Sequence, residues 1–150
     1  MKNKSLVLAA IVACIAVMFV TTGIYAGTKV EDVIKLNEPS YEHKKGIIEF
    51  THKKHSTEYK ATCGECHHDK DGKALELKEG DNVQRCVECH NKPGELKGKA
   101  AKGLSDKEKR MYHANALHDN CISCHKDFNK KTKTKKAPAT CTKCHPKTKK

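Results

Sequence analysis

The sequence has few large apolar residues. It contains no tryptophan, and aromatic residues make up 5% of its 150 residues. Between Gly27 and Lys150, Leu, Ile, Val and Phe together number 16, and none follows Phe128. Charged residues make up 32% of the chain. A chain of this composition cannot bury enough apolar surface to offset the entropy lost on ordering, so a non-protein component has to supply the core.

The shortage of aromatic residues also limits what the positive charge can mean. The formal net charge is +12, and a basic chain of this size could bind nucleic acid. Binding of single strands, however, uses aromatic side chains on which bases stack. Only three Tyr and two Phe follow residue 26. We therefore expect no nucleic-acid partner.

Charge is absent from a long run near the amino terminus. Two lysines precede an uncharged, mostly apolar run over residues 6–24, and Ala26 follows it. This pattern predicts a secretory signal peptide over residues 1–26 and a mature domain over residues 27–150. The run is also just long enough for an uncleaved membrane anchor. The stretch that ends at Cys14 resembles a lipoprotein signal, which is a third alternative; all three export the rest of the chain.

After residue 26, cysteine occurs only in one repeated motif. C-x-x-C-H is found four times and uses all eight of these cysteines: Cys63, Cys66 and His67; Cys86, Cys89 and His90; Cys121, Cys124 and His125; Cys141, Cys144 and His145. It is the attachment motif of c-type haem, in which both cysteines bind the porphyrin and the histidine binds the iron. Disulfide scaffolds and zinc ribbons are the alternatives, but neither explains a histidine after every pair. The motifs predict four covalent haem c groups, which would also supply the missing core.

Methionine is scarce as well. Met111 is the only methionine after residue 26, so at most one iron could have His/Met ligation, which raises the haem potential. Low potentials are therefore expected. Six histidines lie outside the motif position: His43, His52, His55, His68, His113 and His118. They suffice to give every iron a second histidine, so no open coordination site is required.

The spacing of two histidine pairs predicts that they connect neighbouring haems. His52 and His55 lie three residues apart, so on a helical turn they point the same way and should serve two neighbouring haems. His68 directly follows His67 and cannot reach the opposite face of the same iron. It should therefore bind a different one.

The remaining ligand is either His113 or His118. Ser105 and Glu108 form a capping box, which predicts a helix that runs to about His118. On this helix His118 falls on the apolar face and His113 lies towards its edge, which favours His118. His43 lies among charged residues and is predicted to be solvated.

Most of the remaining chain is predicted to be loop. Residues 30–36 and 46–50 could form a short hairpin. The lysine-rich segments 126–136 and 146–150 are predicted to be solvated and flexible. The expected fold class is a small multihaem cytochrome, mainly α-helix and loop with a short N-terminal β-hairpin, in which the haems form the core.

The order of these motifs resembles the tetrahaem cytochrome c3 family (class III cytochromes c). The resemblance covers residues 50–145: Phe-x-His-x-x-His, C-x-x-C-His-His, a second site, a helix with His-Asp, and two further sites. It implies the second ligand of each haem: His52 for the haem on His67, His68 for that on His90, His55 for that on His125, and His118 for that on His145.

The resemblance also implies a periplasmic electron carrier of anaerobic respiration, and not an enzyme. Its implied partners are hydrogenase, formate dehydrogenase or membrane cytochrome complexes, which would dock on lysines among residues 126–136, Lys143 and Lys147. Contact with a membrane is expected only if the N-terminal segment stays uncleaved. The alternatives are a terminal reductase of a metal ion or small oxyanion, and a subunit of an extracellular haem filament. The number of spare histidines favours the carrier.

Overall fold

The computed structural model describes residues 31–147. The predicted signal peptide, residues 1–26, lies outside the described residues, and so do residues 148–150. Between residues 31 and 147, no helix is both long and apolar enough to cross a membrane.

A two-stranded antiparallel ribbon begins the described chain. β1 (Ile34–Lys35) pairs with β2 (Glu49–Phe50), so that Ile34 lies opposite Phe50. The predicted hairpin is confirmed, although each strand has only two residues. The ribbon leads directly into the first helix and thereby determines where its histidines lie.

The helices are mostly single turns. They are α1 (His52–Thr57), α2 (Cys86–Cys89), α3 (Asp106–Arg110), α4 (His113–Lys131) and α5 (Cys141–Cys144), with 3-10 turns at Cys63–Glu65 and Gly98–Ala101. Each attachment motif coincides with a helical turn. Residues i, i+3 and i+4 of such a turn share one face, so both cysteines and the histidine can reach the same group. In the first, second and fourth motifs the histidine N–H donates to the carbonyl of the first cysteine at 2.8, 2.8 and 2.9 Å.

The helix predicted from Ser105 to about His118 is wrong, because it is interrupted. Its capping box is present: the Ser105 hydroxyl accepts from the N–H of Glu108 at 3.2 Å, and the Glu108 carboxylate accepts from the N–H of Ser105 at 2.8 Å. Tyr112, however, has an extended backbone and forms a parallel bridge with Lys92. α4 then starts afresh and extends well beyond the predicted end to include the third attachment motif.

The prediction of a flexible segment over residues 126–136 is wrong for its first part. Residues 126–131 are the last turns of α4. The following loop folds back on the helix, since the Asn129 amide donates to the carbonyl of Ala137 at 2.8 Å and accepts from its N–H at 3.0 Å. The lysines of this segment are all exposed, as predicted.

Residues 31–147 contain almost no hydrophobic core. Ala116 is the only buried hydrophobic residue among them, and none of their side chains is less than 2% exposed. The two buried polar residues are Glu38 and His113. A fold with so little apolar burial cannot be stable through protein contacts alone.

We expect the chain produced without haem attachment, with its eight motif cysteines changed to alanine, to show no cooperative thermal unfolding. Burial of a single alanine cannot offset an ordering entropy of about 1–2 kcal/mol per residue. Circular dichroism melts of this variant and of the haem-loaded protein measure the difference. A sharp transition in the haem-free variant would contradict this expectation.

Candidate haem sites

Each motif histidine lies opposite one histidine from outside the motifs. The ring centroids are 6.4 Å apart for His52 and His67, 5.7 Å for His68 and His90, 6.2 Å for His55 and His125, and 6.0 Å for His118 and His145. Two imidazoles that bind opposite sides of one metal ion, with metal–nitrogen distances of about 2.0 Å, place their centroids about 6 Å apart. All four separations fit a metal ion between the two rings.

Backbone carbonyls hold the Nδ1 atom of five of these eight rings. The contacts are His55 to Thr51 at 2.9 Å, His68 to Asp69 at 2.7 Å, His90 to Arg110 at 2.6 Å, His125 to Pro138 at 2.6 Å and His145 to Gly46 at 2.9 Å. A carbonyl oxygen can only accept, so Nδ1 must carry the proton. The Nε2 atom then presents its lone pair, which is the form that binds a metal ion.

His118 has a different neighbour. Its Nδ1 lies 3.4 Å from the Glu95 carboxylate, whose other oxygen accepts from the Lys97 ammonium at 2.6 Å. This lysine is the main cause of the lowered pKa of Glu95, so the carboxyl group is ionised at neutral pH. Glu95 is not predicted from the sequence, because a single glutamate in a loop 23 residues before His118 gives no recognisable signal.

Two histidines next to His67 affect its protonation. Burial lowers the pKa of His67, and the nearby rings of His52 and His68 lower it further. A lowered pKa favours the neutral imidazole, which is the state that metal binding requires. The environment of His67 therefore suits a ligand.

α1 directs two histidines towards different attachment motifs. His52 and His55 lie one turn apart, yet the first faces His67 and the second faces His125. Phe50, at the end of β2, contacts both rings with centroid distances of 5.7 and 4.6 Å. The ribbon therefore packs an aromatic ring against both histidines and restricts where they can lie.

The cysteines fit haem attachment better than the alternatives. The eight cysteines of residues 31–147 are unbridged, so nothing here supports a disulfide scaffold. Zinc takes three or four protein ligands, and residues 31–147 bring together no such cluster. A haem takes only two, because the porphyrin provides the other four.

Two of the six spare histidines have other partners. His113 is buried, and its Nδ1 lies 3.0 Å from the Tyr41 hydroxyl; burial lowers its pKa. The Nε2 of His43 lies 2.9 Å from the carbonyl oxygen and 3.1 Å from the nitrogen of Glu38. The prediction that His43 is solvated is therefore wrong, because its ring is half-buried and hydrogen-bonded. The continuous helix on which His118 was preferred is interrupted at Tyr112, yet His118 is the histidine that lies opposite His145.

Comparison with known proteins identifies the class. Residues 28–145 match the class III cytochrome c family, so the chain belongs to this family. A curated relative is the cytochrome c3 of Desulfovibrio desulfuricans, which is 30% identical over 105 residues, covering 69% of this chain and 81% of the relative. No solved structure matches the chain significantly. Membership confirms the resemblance seen in the sequence and supports covalently bound haem c and multihaem electron transfer.

Proposed function

We propose that this protein is a tetrahaem electron carrier in which every iron has two histidine ligands. The porphyrins would be attached to Cys63 and Cys66, Cys86 and Cys89, Cys121 and Cys124, and Cys141 and Cys144. The axial pairs would be His52 with His67, His68 with His90, His55 with His125, and His118 with His145. The observation that carries the proposal is that all four motif histidines lie 5.7 to 6.4 Å from a histidine outside the motifs.

Three short connections would keep neighbouring sites at fixed separations. His67 and His68 join the first and second sites, and α1 joins the first and third. α4 joins the third and fourth, since His118 and His125 lie seven residues apart, a rise of about 10 Å along the helix. When bound, the haems supply one-electron redox chemistry, and the chain holds them in the order second, first, third, fourth. Fixed, short separations are what electron transfer between such sites needs.

The proposed ligand set implies low potentials. None of the four pairs includes a methionine, and methionine ligation is what raises the potential of cytochromes c. Electron donors of low potential, such as hydrogenase or formate dehydrogenase, are therefore suitable partners, as are membrane cytochrome complexes that accept the electrons.

Eight lysines near the carboxyl terminus form a candidate docking face, which we call the lysine surface: Lys126, Lys130, Lys131, Lys133, Lys135, Lys136, Lys143 and Lys147. All eight are exposed, and within residues 31–147 none of them forms an ion pair. Asp127 is the only acidic residue between positions 126 and 147. Such a surface would attract an acidic partner. We place this exchange in the periplasm, in anaerobic respiration, with export directed by residues 1–26.

The haem-loaded protein should contain four haems, all six-coordinate and low-spin, because the pairs provide a second ligand for every iron. A pyridine haemochrome assay gives the number of haems, and electron paramagnetic resonance gives the spin state. A substantial high-spin signal in the resting protein would instead favour a terminal reductase with an open iron.

Substitution of His68 tests the assignment of one ligand. His68→Met should raise the potential of the haem on His90 and of no other, because methionine ligation favours the reduced iron. A redox titration followed by nuclear magnetic resonance resolves the four haems. His43→Met is the matched control and should leave all four potentials in place, since His43 is hydrogen-bonded to Glu38. A shift at the haem on His67 would show that the ligand assignment is wrong.

Charge reversal of Lys130, Lys133 and Lys136 to glutamate should slow electron exchange with an acidic redox partner and flatten its dependence on salt. The measurement is the association rate at several ionic strengths. The same reversal at three exposed lysines elsewhere, Lys70, Lys73 and Lys78, changes the net charge equally and serves as the control. Equal effects of the two triple variants would exclude a docking role for the lysine surface.

A further inference from the structure

One ring of the proposed ligand set lies beside a carboxylate, in contrast to the five whose Nδ1 contacts a backbone carbonyl. The Nδ1 of His118 lies 3.4 Å from an oxygen of Glu95, which is ion-pair distance and slightly longer than an ordinary N–H···O hydrogen bond. The two side chains are 40% and 34% exposed, so water screens their interaction only in part. This contact introduces a formal negative charge beside one proposed axial ligand.

The segment that carries Glu95 is hydrogen-bonded to the first turn of α4. The N–H of His113 donates to the carbonyl of Lys92 at 2.9 Å, and the N–H of Ala114 donates to the carbonyl of Gly94 at 3.0 Å. The first N–H groups of a helix have no partner within the helix, so this segment satisfies two of them. The backbone on the amino-terminal side of Glu95 therefore has a defined place beside the helix.

Asn115 forms hydrogen bonds to the same segment on the carboxyl-terminal side of Glu95. Its amide oxygen accepts from the N–H of Leu96 at 2.7 Å, and its amide nitrogen donates to the carbonyl of Leu96 at 2.9 Å. His118 follows Asn115 by three residues and therefore lies on the same face of α4, one turn further on. The helix that carries the ring thus also anchors the carboxylate, so the two are held together as one unit.

We propose that Glu95 is a positioning residue of the fourth site, whose carboxylate accepts a hydrogen bond from Nδ1 of His118 and lowers the potential of the haem held there. The inference rests on the proposed function, in which His118 and His145 are the axial ligands. A carboxylate partner makes an imidazole a more basic ligand, and a more basic ligand stabilises the oxidised iron over the reduced iron. Lys97 makes this lowering of the potential smaller, because its ammonium group donates to the same carboxylate and partly neutralises its charge.

Two substitutions of Glu95 in the haem-loaded protein separate the hydrogen bond from the charge. Glu95→Gln removes the charge, and Glu95→Asp retains it but shortens the side chain by one methylene, beyond reach of the ring. Both should raise the potential of the haem attached to Cys141 and Cys144. A tenfold change in its ratio of oxidised to reduced form corresponds to about 59 mV for one electron. A shift in Glu95→Gln alone would mean that the carboxylate acts only as a distant charge, which overturns the hydrogen bond.

Two further variants complete the test. Lys97→Gln should shift the same potential downward, because the full negative charge of Glu95 then acts on His118 without a neighbouring ammonium group. Glu79→Gln removes an equal charge from an exposed position and should leave this haem unchanged relative to the other three. An unshifted potential in both Glu95 variants would overturn the inference.

The ligand assignment is tested separately. His118→Ala should convert the haem attached to Cys141 and Cys144 to the high-spin form, as seen by electron paramagnetic resonance. If that haem stays low-spin, the proposed ligand set is wrong at this site. If it becomes high-spin while the Glu95 variants have no effect, only the role of Glu95 is wrong.

Discussion

The contacts between four pairs of imidazole rings are the constraint on which the rest of this fold depends. Ala116 is the only buried hydrophobic residue of residues 31–147, and most helices have four to six residues, too few to be stable alone. A group bound between the rings, as proposed, would therefore provide much of the folding free energy. When ligands come together only in the folded chain, the free energy of binding to them is also free energy of folding. Large apolar macrocycles beside the rings would add the hydrophobic burial that the side chains lack.

Hydrogen bonds and ion pairs between polar side chains also help to fix the positions of the loops. Glu38 is buried and pairs with Arg85 at 3.2 Å, and Tyr41 reaches His113 at the start of α4. Within residues 31–147 no buried side-chain nitrogen or oxygen lacks a hydrogen-bond partner. The loop after β1 is therefore connected to α4 by the Tyr41–His113 contact and to Arg85 by the Glu38 ion pair. Such a network specifies one arrangement, because a buried polar group without a partner is costly.

Features that depend on a few neighbouring residues could be predicted from the sequence. The turn that directs His52 and His55, the capping box at Ser105 and the short hairpin all follow from local spacing, and all are present. The features that were not predicted depend on contacts between residues far apart in the sequence. Tyr112 leaves the helix because its backbone pairs with a residue 20 positions earlier, and Glu95 reaches His118 only because its loop is attached to α4. Neither contact has a periodicity or motif that a single sequence displays.

The four ring pairs enclose loops of very different length. The paired histidines are separated by 15 residues for His52 and His67, by 22 for the second pair and by 27 for the fourth, but by 70 for His55 and His125. The entropic cost of closing a loop grows with the logarithm of its length, so the longest closure costs about 1.4 kcal/mol more than the shortest. The contact between α1 and α4 also encloses the first two attachment motifs. The His68–His90 pair lies wholly within this loop, so its formation shortens the chain that remains to be ordered. Loop-closure entropy alone therefore favours the formation of the local pairs before α1 joins α4.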